Sequence, residues 1–208
     1  LGIAVDKLYD FIWEEFCDWY IEMVKPRLWN DEDETKAAAL WTLKTVLTTA
    51  LKLLHPYMPF ITEEICCNLQ EEEESIMVSE WPVYHEEWNF AKEEAAIESI
   101  KEAVRGIRNV RAQMNVPPSK KATVYVVSED EQVRADFEAG KVFFAMLGRA
   151  NEVFVQADKT GIADDAVSTM IPKANIYIPF AELVDIEKEI ARLQGEEKKL
   201  TGEIKRAQ

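Results

Sequence analysis

Cysteine and histidine are scarce in this 208-residue sequence, and their scarcity excludes several classes of protein. The three cysteines are Cys17, Cys66 and Cys67, an odd number with one adjacent pair and no C-x-x-C spacing. This pattern argues against a disulfide framework or a zinc ribbon and favours a reducing compartment, so a cytoplasmic location is expected. The two histidines, His55 and His85, belong to no zinc-protease motif, and no serine-hydrolase, P-loop or dinucleotide-binding glycine pattern occurs. We therefore predict no catalytic residue and no metal site.

Long apolar runs and a targeting pattern are also lacking. No apolar run reaches the roughly 20 residues that a membrane span needs. No basic region followed by an apolar block opens the chain, so no signal peptide is evident and no membrane partner is expected. The sequence instead begins inside a helical pattern, which indicates a fragment of something longer.

Positive charge is lacking in the first half of the chain. Residues 1–100 hold 7 Lys and Arg against 22 Asp and Glu, a balance of −15, whereas residues 101–208 hold 17 against 17. A general nucleic-acid-binding surface is therefore not expected, and any contact with phosphates must be local. One stretch, residues 107–121 (IRNVRAQMNVPPSKK), carries four cations and no acid.

Helical periodicity covers most of residues 1–117. Apolar residues repeat at spacings of three and four in residues 4–25, 32–54 and 90–114, and another helix is predicted to begin at a capping Thr62. Long helices joined by short loops predict an antiparallel bundle.

The first helix has two aromatic residues of interest. Phe16 belongs to its apolar stripe, whereas Phe11 falls among acidic residues on the polar side. Pro26 is predicted to end this helix. The later segment HPYMPF (residues 55–60) is predicted to make a sharp turn whose Tyr57, Met58 and Phe60 fill the bundle.

The pattern changes after Pro117 and Pro118. Residues 118–181 contain four short β-rich runs and one or two short helices, which predict a small α+β unit. Residues 182–208 keep a spacing of three and four with Glu and Lys between the apolar positions, as in a coiled-coil arm. The predicted fold class is mainly α, with a helical bundle, a small α+β unit and the start of a coiled-coil arm.

Five basic residues around the double proline are candidates for phosphate binding. Arg111 lies closest to the apolar face of its helix, so it must pair with an acid or reach past the helix edge. The cations could equally bind glutamates of the acidic first half, and the residues alone leave both interpretations open. The five candidates are Arg105, Arg108, Arg111, Lys120 and Lys121.

Four segments in order carry a resemblance to a known family. They are FCDWYIE (16–22), LLHPYMPFITEEI (53–65), SEWP (79–82) and IRNVRAQMNVPPSKK (107–121). Together they resemble the C-terminal portion of a class I aminoacyl-tRNA synthetase, and among those the valine member. The HPYMPFITEE segment is shared with the isoleucine and leucine members, so by itself it indicates only the group.

The resemblance implies a division of labour along the chain. Residues 1–117 resemble the helical anticodon-binding domain, residues 118–181 the α+β linker, and residues 182–208 the first helix of the tRNA-binding arm. The catalytic HIGH and KMSKS signatures are absent from the sequence, so ATP and Mg²⁺ are expected in the catalytic domain of the parent enzyme and no cofactor in this chain. The expected partners are valine tRNA and that catalytic domain, in a monomer.

The resemblance also implies which residues contact anticodon bases. In the family an aromatic residue of the first helix and an apolar residue before the Trp-Pro pair do so, and the best matching positions are Phe16 and Val78. Phe11 is kept beside Phe16, because stacking on unpaired bases needs an exposed aromatic ring. The alternatives are the same region of an isoleucine or leucine synthetase, and a helical interaction module without an RNA partner.

Overall fold

The computed structural model describes residues 2–69 and 75–184, together with Gln194, Glu197, Leu200 and Thr201. Contacts within the chain define two compact units, residues 1–89 and residues 90–208. Most of the predicted coiled-coil arm lies outside the described residues, so the arm stays a prediction.

The first unit is helical. The third helix, α3, contacts the first two and the fourth, and Leu51, Cys66 and Ile76 form a buried cluster in the contact with the fourth. Burial of such apolar side chains is the main stabilising term in a unit of this kind. Its helical segments are α1 (Gly2–Asp10), a π-helical segment (Phe11–Ile21), α2 (Glu22–Trp29), α3 (Lys36–Leu54), α4 (Pro59–Leu69) and two 3₁₀ turns (Ile76–Val78 and Glu86–Trp88).

The first predicted helix continues beyond its predicted end. Pro26 lies inside α2, which ends at Trp29, so the prediction that this proline ends the helix is wrong. Proline lacks only its own backbone N–H donor, so a helix can continue past it when other contacts stabilise the following turn. Here Arg27, in the turn after Pro26, donates to the hydroxyl and to the carbonyl of Thr35, both at 2.8 Å.

The turn between α3 and α4 also differs from the prediction. The fourth helix begins at Pro59, whose missing N–H costs nothing at a first helical position. Thr62 therefore lies within the helix and does not cap it. Its buried hydroxyl donates to the Met58 carbonyl at 2.8 Å and lies 2.7 Å from Nδ1 of His55.

The three apolar side chains of this turn are exposed. Phe60 is 90% exposed, and Tyr57 and Met58 are each exposed by 41% or more. The prediction that they fill the bundle is wrong for the described unit. The turn is instead ordered by backbone hydrogen bonds and by the polar pair of His55 and Thr62.

The second unit is a four-stranded sheet with helices, and all four predicted strands are confirmed. The strand order is β2-β1-β4-β3, with β1 parallel to β2 and antiparallel to β4, and β3 antiparallel to β4. The parallel pair is joined through two short helices, as a parallel connection requires. The elements are α5 (Ala91–Gln113), β1 (Ala122–Val127), α6 (Glu131–Ala139), α7 (Lys141–Leu147), β2 (Ala150–Gln156), β3 (Val167–Ile171), β4 (Ala174–Ile178) and α8 (Phe180–Leu183).

The long helix α5 packs against the sheet of this unit. A Cβ atom on Gly106 would lie 3.0 Å from Cγ2 of Thr169, so the helix and β3 approach closely. The buried residues Val104 and Ile107 lie on the same helix. These contacts group α5 with the sheet. The predicted domain boundary at residue 117, where the helical pattern of the sequence ends, stays a prediction.

By length and composition alone, α3 could cross a membrane. Its 19 residues include a window of mean hydropathy 1.3. The helix includes Lys36, Lys44 and Lys52, so it is not an uninterrupted apolar run. Core helices of soluble proteins meet the same two criteria, so this property by itself assigns no membrane location.

Candidate nucleic-acid interface

The three residues predicted to contact bases differ sharply in exposure. Phe16 is 5% exposed and stacks against Tyr20 with ring centroids 6.1 Å apart. Phe11 is 42% exposed, and Val78, on the 3₁₀ turn after α4, is 76% exposed. A base can stack only on a side chain that it can reach, so this geometry favours Phe11 and Val78 over Phe16.

Phe11 lines an apolar cavity of about 720 Å³ in the first unit. Tyr57, Trp81 and Trp88 line the same cavity, and Lys7 is its charged side chain. Flat aromatic walls of this kind can bind planar rings. The sequence reasoning did not select these three residues for a site, although the aromatic-rich segment around Trp81 and Trp88 was a usable signal.

One wall of the cavity is ordered by contacts between aromatic rings. Trp88 stacks on His85 with centroids 4.3 Å apart and meets Trp41 edge to face at 6.1 Å. His85 Nδ1 also lies 3.1 Å from the carboxylate of Glu87. A hydrogen bond from its own backbone, followed by the one to His85, lowers the pKa of Glu87. The His85 ring thus contacts both the Glu87 carboxylate and the Trp88 indole.

Arg111 is a structural residue of the second unit. Its side chain is 7% exposed, and its guanidinium donates to the carbonyls of Pro117 (3.0 Å) and Lys120 (2.5 Å). Burial lowers the pKa of Arg111, and the nearby charge of Arg149 lowers it further. The arginine fastens the loop after α5 and is poorly placed to contact a phosphate.

The other predicted cations remain near the surface. Arg105, Arg108 and Lys121 are exposed, and Lys120 is half-buried. Nε of Arg108 donates to the Leu147 carbonyl at 3.0 Å. We call these four cations, Arg105, Arg108, Lys120 and Lys121, the basic seam.

We expect Arg111→Met to lower the free energy of unfolding by about 1–3 kcal/mol. The substitution keeps the aliphatic bulk but removes the guanidinium donor from both carbonyls, of which that of Pro117 still accepts from the Lys120 N–H. Denaturant unfolding measures the change, with the exposed Lys121→Met as a control expected to stay within about 0.5 kcal/mol. Equal stabilities of the two variants would contradict the structural role of Arg111.

Of the cysteines, Cys67 lies in surroundings that make its thiol less reactive. Desolvation raises the pKa of Cys67, and its hydrogen bond to Glu63 at 3.5 Å raises it further. A raised pKa lowers the fraction of nucleophilic thiolate. Across residues 2–69 and 75–184, no group of three His, Cys, Asp or Glu side chains is arranged to hold a metal ion.

Comparison with known proteins gives the class of this domain. The family described as the anticodon-binding domain of tRNA ligase matches residues 1–126. The chain therefore belongs to this family.

Similar proteins include valine–tRNA ligases. That of Clostridium acetobutylicum is 47% identical over 206 residues, which is 99% of this chain and 23% of the relative. Those of Clostridium perfringens and Bacillus subtilis are 46% and 36% identical, over 100% and 97% of this chain and 24% and 23% of the relatives. The chain spans about a quarter of the length of the curated relatives it matches.

Proposed function

We propose that this chain is the tRNA-binding, anticodon-recognising part of a valine–tRNA ligase. The observation that carries the proposal is similarity to valine–tRNA ligases along nearly the whole chain, at 36–47% identity. In the complete enzyme, valine would be attached to its tRNA with ATP and Mg²⁺ by a catalytic domain. The partners are valine tRNA and that domain, and the enzyme is a cytoplasmic monomer.

Base recognition takes place on the first unit. Unpaired anticodon bases expose planar faces that stack on aromatic and apolar side chains. Phe11 and Val78 are exposed, and the cavity beside Phe11 adds Tyr57, Trp81 and Trp88. The proposal places a splayed base against this surface, with Phe16 supporting the helix from the core.

The basic seam binds the RNA backbone. Phosphate contacts fix the orientation of a nucleic acid but carry no sequence information. With residues 1–100 at a net charge of −15, the seam provides local attraction while most of the first unit repels RNA. Poorly oriented complexes are therefore disfavoured, which favours specificity over affinity.

We also propose that the chain is divided at residues 117 and 181 into a helical domain, an α+β linker and a tRNA-binding arm. The family match ends at residue 126, close to the first of these boundaries. The arm of residues 182–208 would contact the same tRNA outside its anticodon.

The test is a gel shift of the 208-residue chain with valine tRNA transcripts at several salt concentrations. We expect binding that weakens as salt rises, and weaker binding when the anticodon is changed, because base contacts would be lost. Isoleucine and leucine tRNAs are included, and a preference for either would assign the chain to the sister enzyme. A complete lack of tRNA binding at low salt would favour an interaction module without an RNA partner.

A further inference from the structure

Acidic residues are missing from two separate segments of this acidic chain. Residues 103–128 and residues 139–151 contain no Asp or Glu, although the chain has 39 acids in 208 residues. The first segment carries the basic seam and Arg111. The second carries Lys141 and Arg149, which sequence reasoning did not select.

The fold brings the two segments together at one end of the sheet. Strands β1 and β2 are parallel, and their first residues, Ala122 and Ala150, are register partners. The N–H of Ala122 donates to the carbonyl of Arg149 at 3.3 Å. Arg108 of α5 donates to the Leu147 carbonyl at 3.0 Å, so the helix is joined to the same place.

Arg149 projects from this junction into solvent. Its side chain is exposed, and its φ of 58° places it in the left-handed region, where few residues other than glycine lie. The preceding Gly148 allows the tight turn from α7 into β2, since a Cβ there would lie 2.9 Å from the Phe144 carbonyl oxygen. Within the described part of the chain, the guanidinium of Arg149 makes no hydrogen bond or ion pair.

The charge near Arg149 is another cation. Arg149 is close enough to Arg111 to lower its pKa, and the partners of Arg111 are neutral carbonyls. Glu182, which also approaches the start of β1, accepts a hydrogen bond from the Thr123 N–H at 2.6 Å. Among the described residues, no carboxylate forms an ion pair with either arginine. Two arginines held together in this way repel each other, and a bound anion would offset that repulsion.

We infer that Arg149 binds a phosphate group of an RNA backbone. That the RNA is a tRNA rests on the proposed function, whereas the phosphate chemistry follows from the charges themselves. An exposed guanidinium suits this role, because its planar fork can donate two hydrogen bonds to one phosphate. The contact extends the basic seam from α5 across to the start of β2.

Arg149→Gln in the 208-residue chain tests the inference, with Lys173→Gln as the matched control. Lys173 is also exposed and loses the same charge, but it lies at the opposite end of the sheet, where its carbonyl accepts from Ser128 after β1. Binding of a valine tRNA transcript is measured between 50 and 200 mM salt. Loss of one phosphate contact should reduce the slope of log affinity against log salt by about 1, whether or not the anticodon is changed.

An unchanged slope in Arg149→Gln, or an equal change in Lys173→Gln, would overturn the inference. A second arm titrates inorganic tripolyphosphate and follows the Arg149 Nε–H by NMR, where a shift on binding is expected at this side chain and not for Arg134, which donates to the carbonyls of Ser128 and Glu129. If the unsubstituted chain binds no tRNA, the proposed function fails, and the tripolyphosphate titration alone then tests whether Arg149 binds phosphate. A shift specific to Arg149 then supports the site, and no shift overturns it.

Discussion

Replacing Arg105, Lys120 and Lys121 together with Ala should reduce the salt dependence of tRNA binding by a slope of about 3. Each residue is expected to neutralise one phosphate, and each lost contact reduces the slope by about 1. When salt rises fourfold, the unsubstituted chain should therefore lose roughly 60-fold more of its affinity for tRNA than the variant loses. The variant should also bind more weakly at low salt.

The reason for choosing these three residues is their position in the basic seam. Arg111 is excluded because it is buried and bound to carbonyls, so its loss would mix unfolding with lost binding. Arg108 is excluded because it donates to the Leu147 carbonyl. Arg105 and Lys121 are exposed and Lys120 is half-buried.

The matched control removes three exposed lysines elsewhere. Lys44, Lys92 and Lys173 are all exposed, and their replacement with Ala changes the net charge by the same amount. The control should reduce the slope by much less than 3, because distant charges act only through the screened field. If both triple variants lose the same slope, the seam is not a binding site and general charge explains the effect.

The secondary structure was largely predictable because it depends on local periodicity. The four strands and the span of α5 follow from alternation and from a spacing of three and four, which tertiary contacts reinforce in this chain. The errors fall at prolines. The sequence predicts a helix end at Pro26, where Arg27 holds the next turn, and a helix start at Thr62, where the helix begins at Pro59.

The partners of α5 were not predictable from its own pattern. An amphipathic stripe shows that a helix has a buried face but does not show what covers it. The bundle was inferred from helices adjacent in sequence, whereas Gly106 of α5 approaches Thr169 of β3, 63 positions later in the chain. Such long-range contacts leave no local signal.

The candidate site was predictable in kind but not residue by residue. Helical geometry alone placed Phe16 in the core and Phe11 outside, and the exposures agree with that placement. The resemblance points to Phe16, because a matching position carries no information about burial in this chain. Arg149 could not be selected from the sequence, since its neighbours in space, Arg111 and Ala122, come from another part of the chain.

Phe11→Ala and Phe16→Ala should separate binding from folding. Loss of a stacking ring at Phe11 should weaken binding of valine tRNA by about 1–3 kcal/mol, or roughly 5- to 150-fold, and should affect a tRNA with a changed anticodon less. Loss of the buried Phe16 ring should instead lower the free energy of unfolding by about 3–5 kcal/mol. A gel shift measures the first effect and denaturant unfolding the second.

The conservative substitutions Phe11→Leu and Phe16→Leu are the controls. At a stacking site leucine removes the planar ring, so Phe11→Leu should behave like Phe11→Ala in binding. In the core leucine fills most of the lost volume, so Phe16→Leu should recover much of the stability. If Phe16→Leu is stable but binds valine tRNA as poorly as Phe11→Ala, Phe16 contacts the base after all, and its helix must expose that ring when the RNA binds.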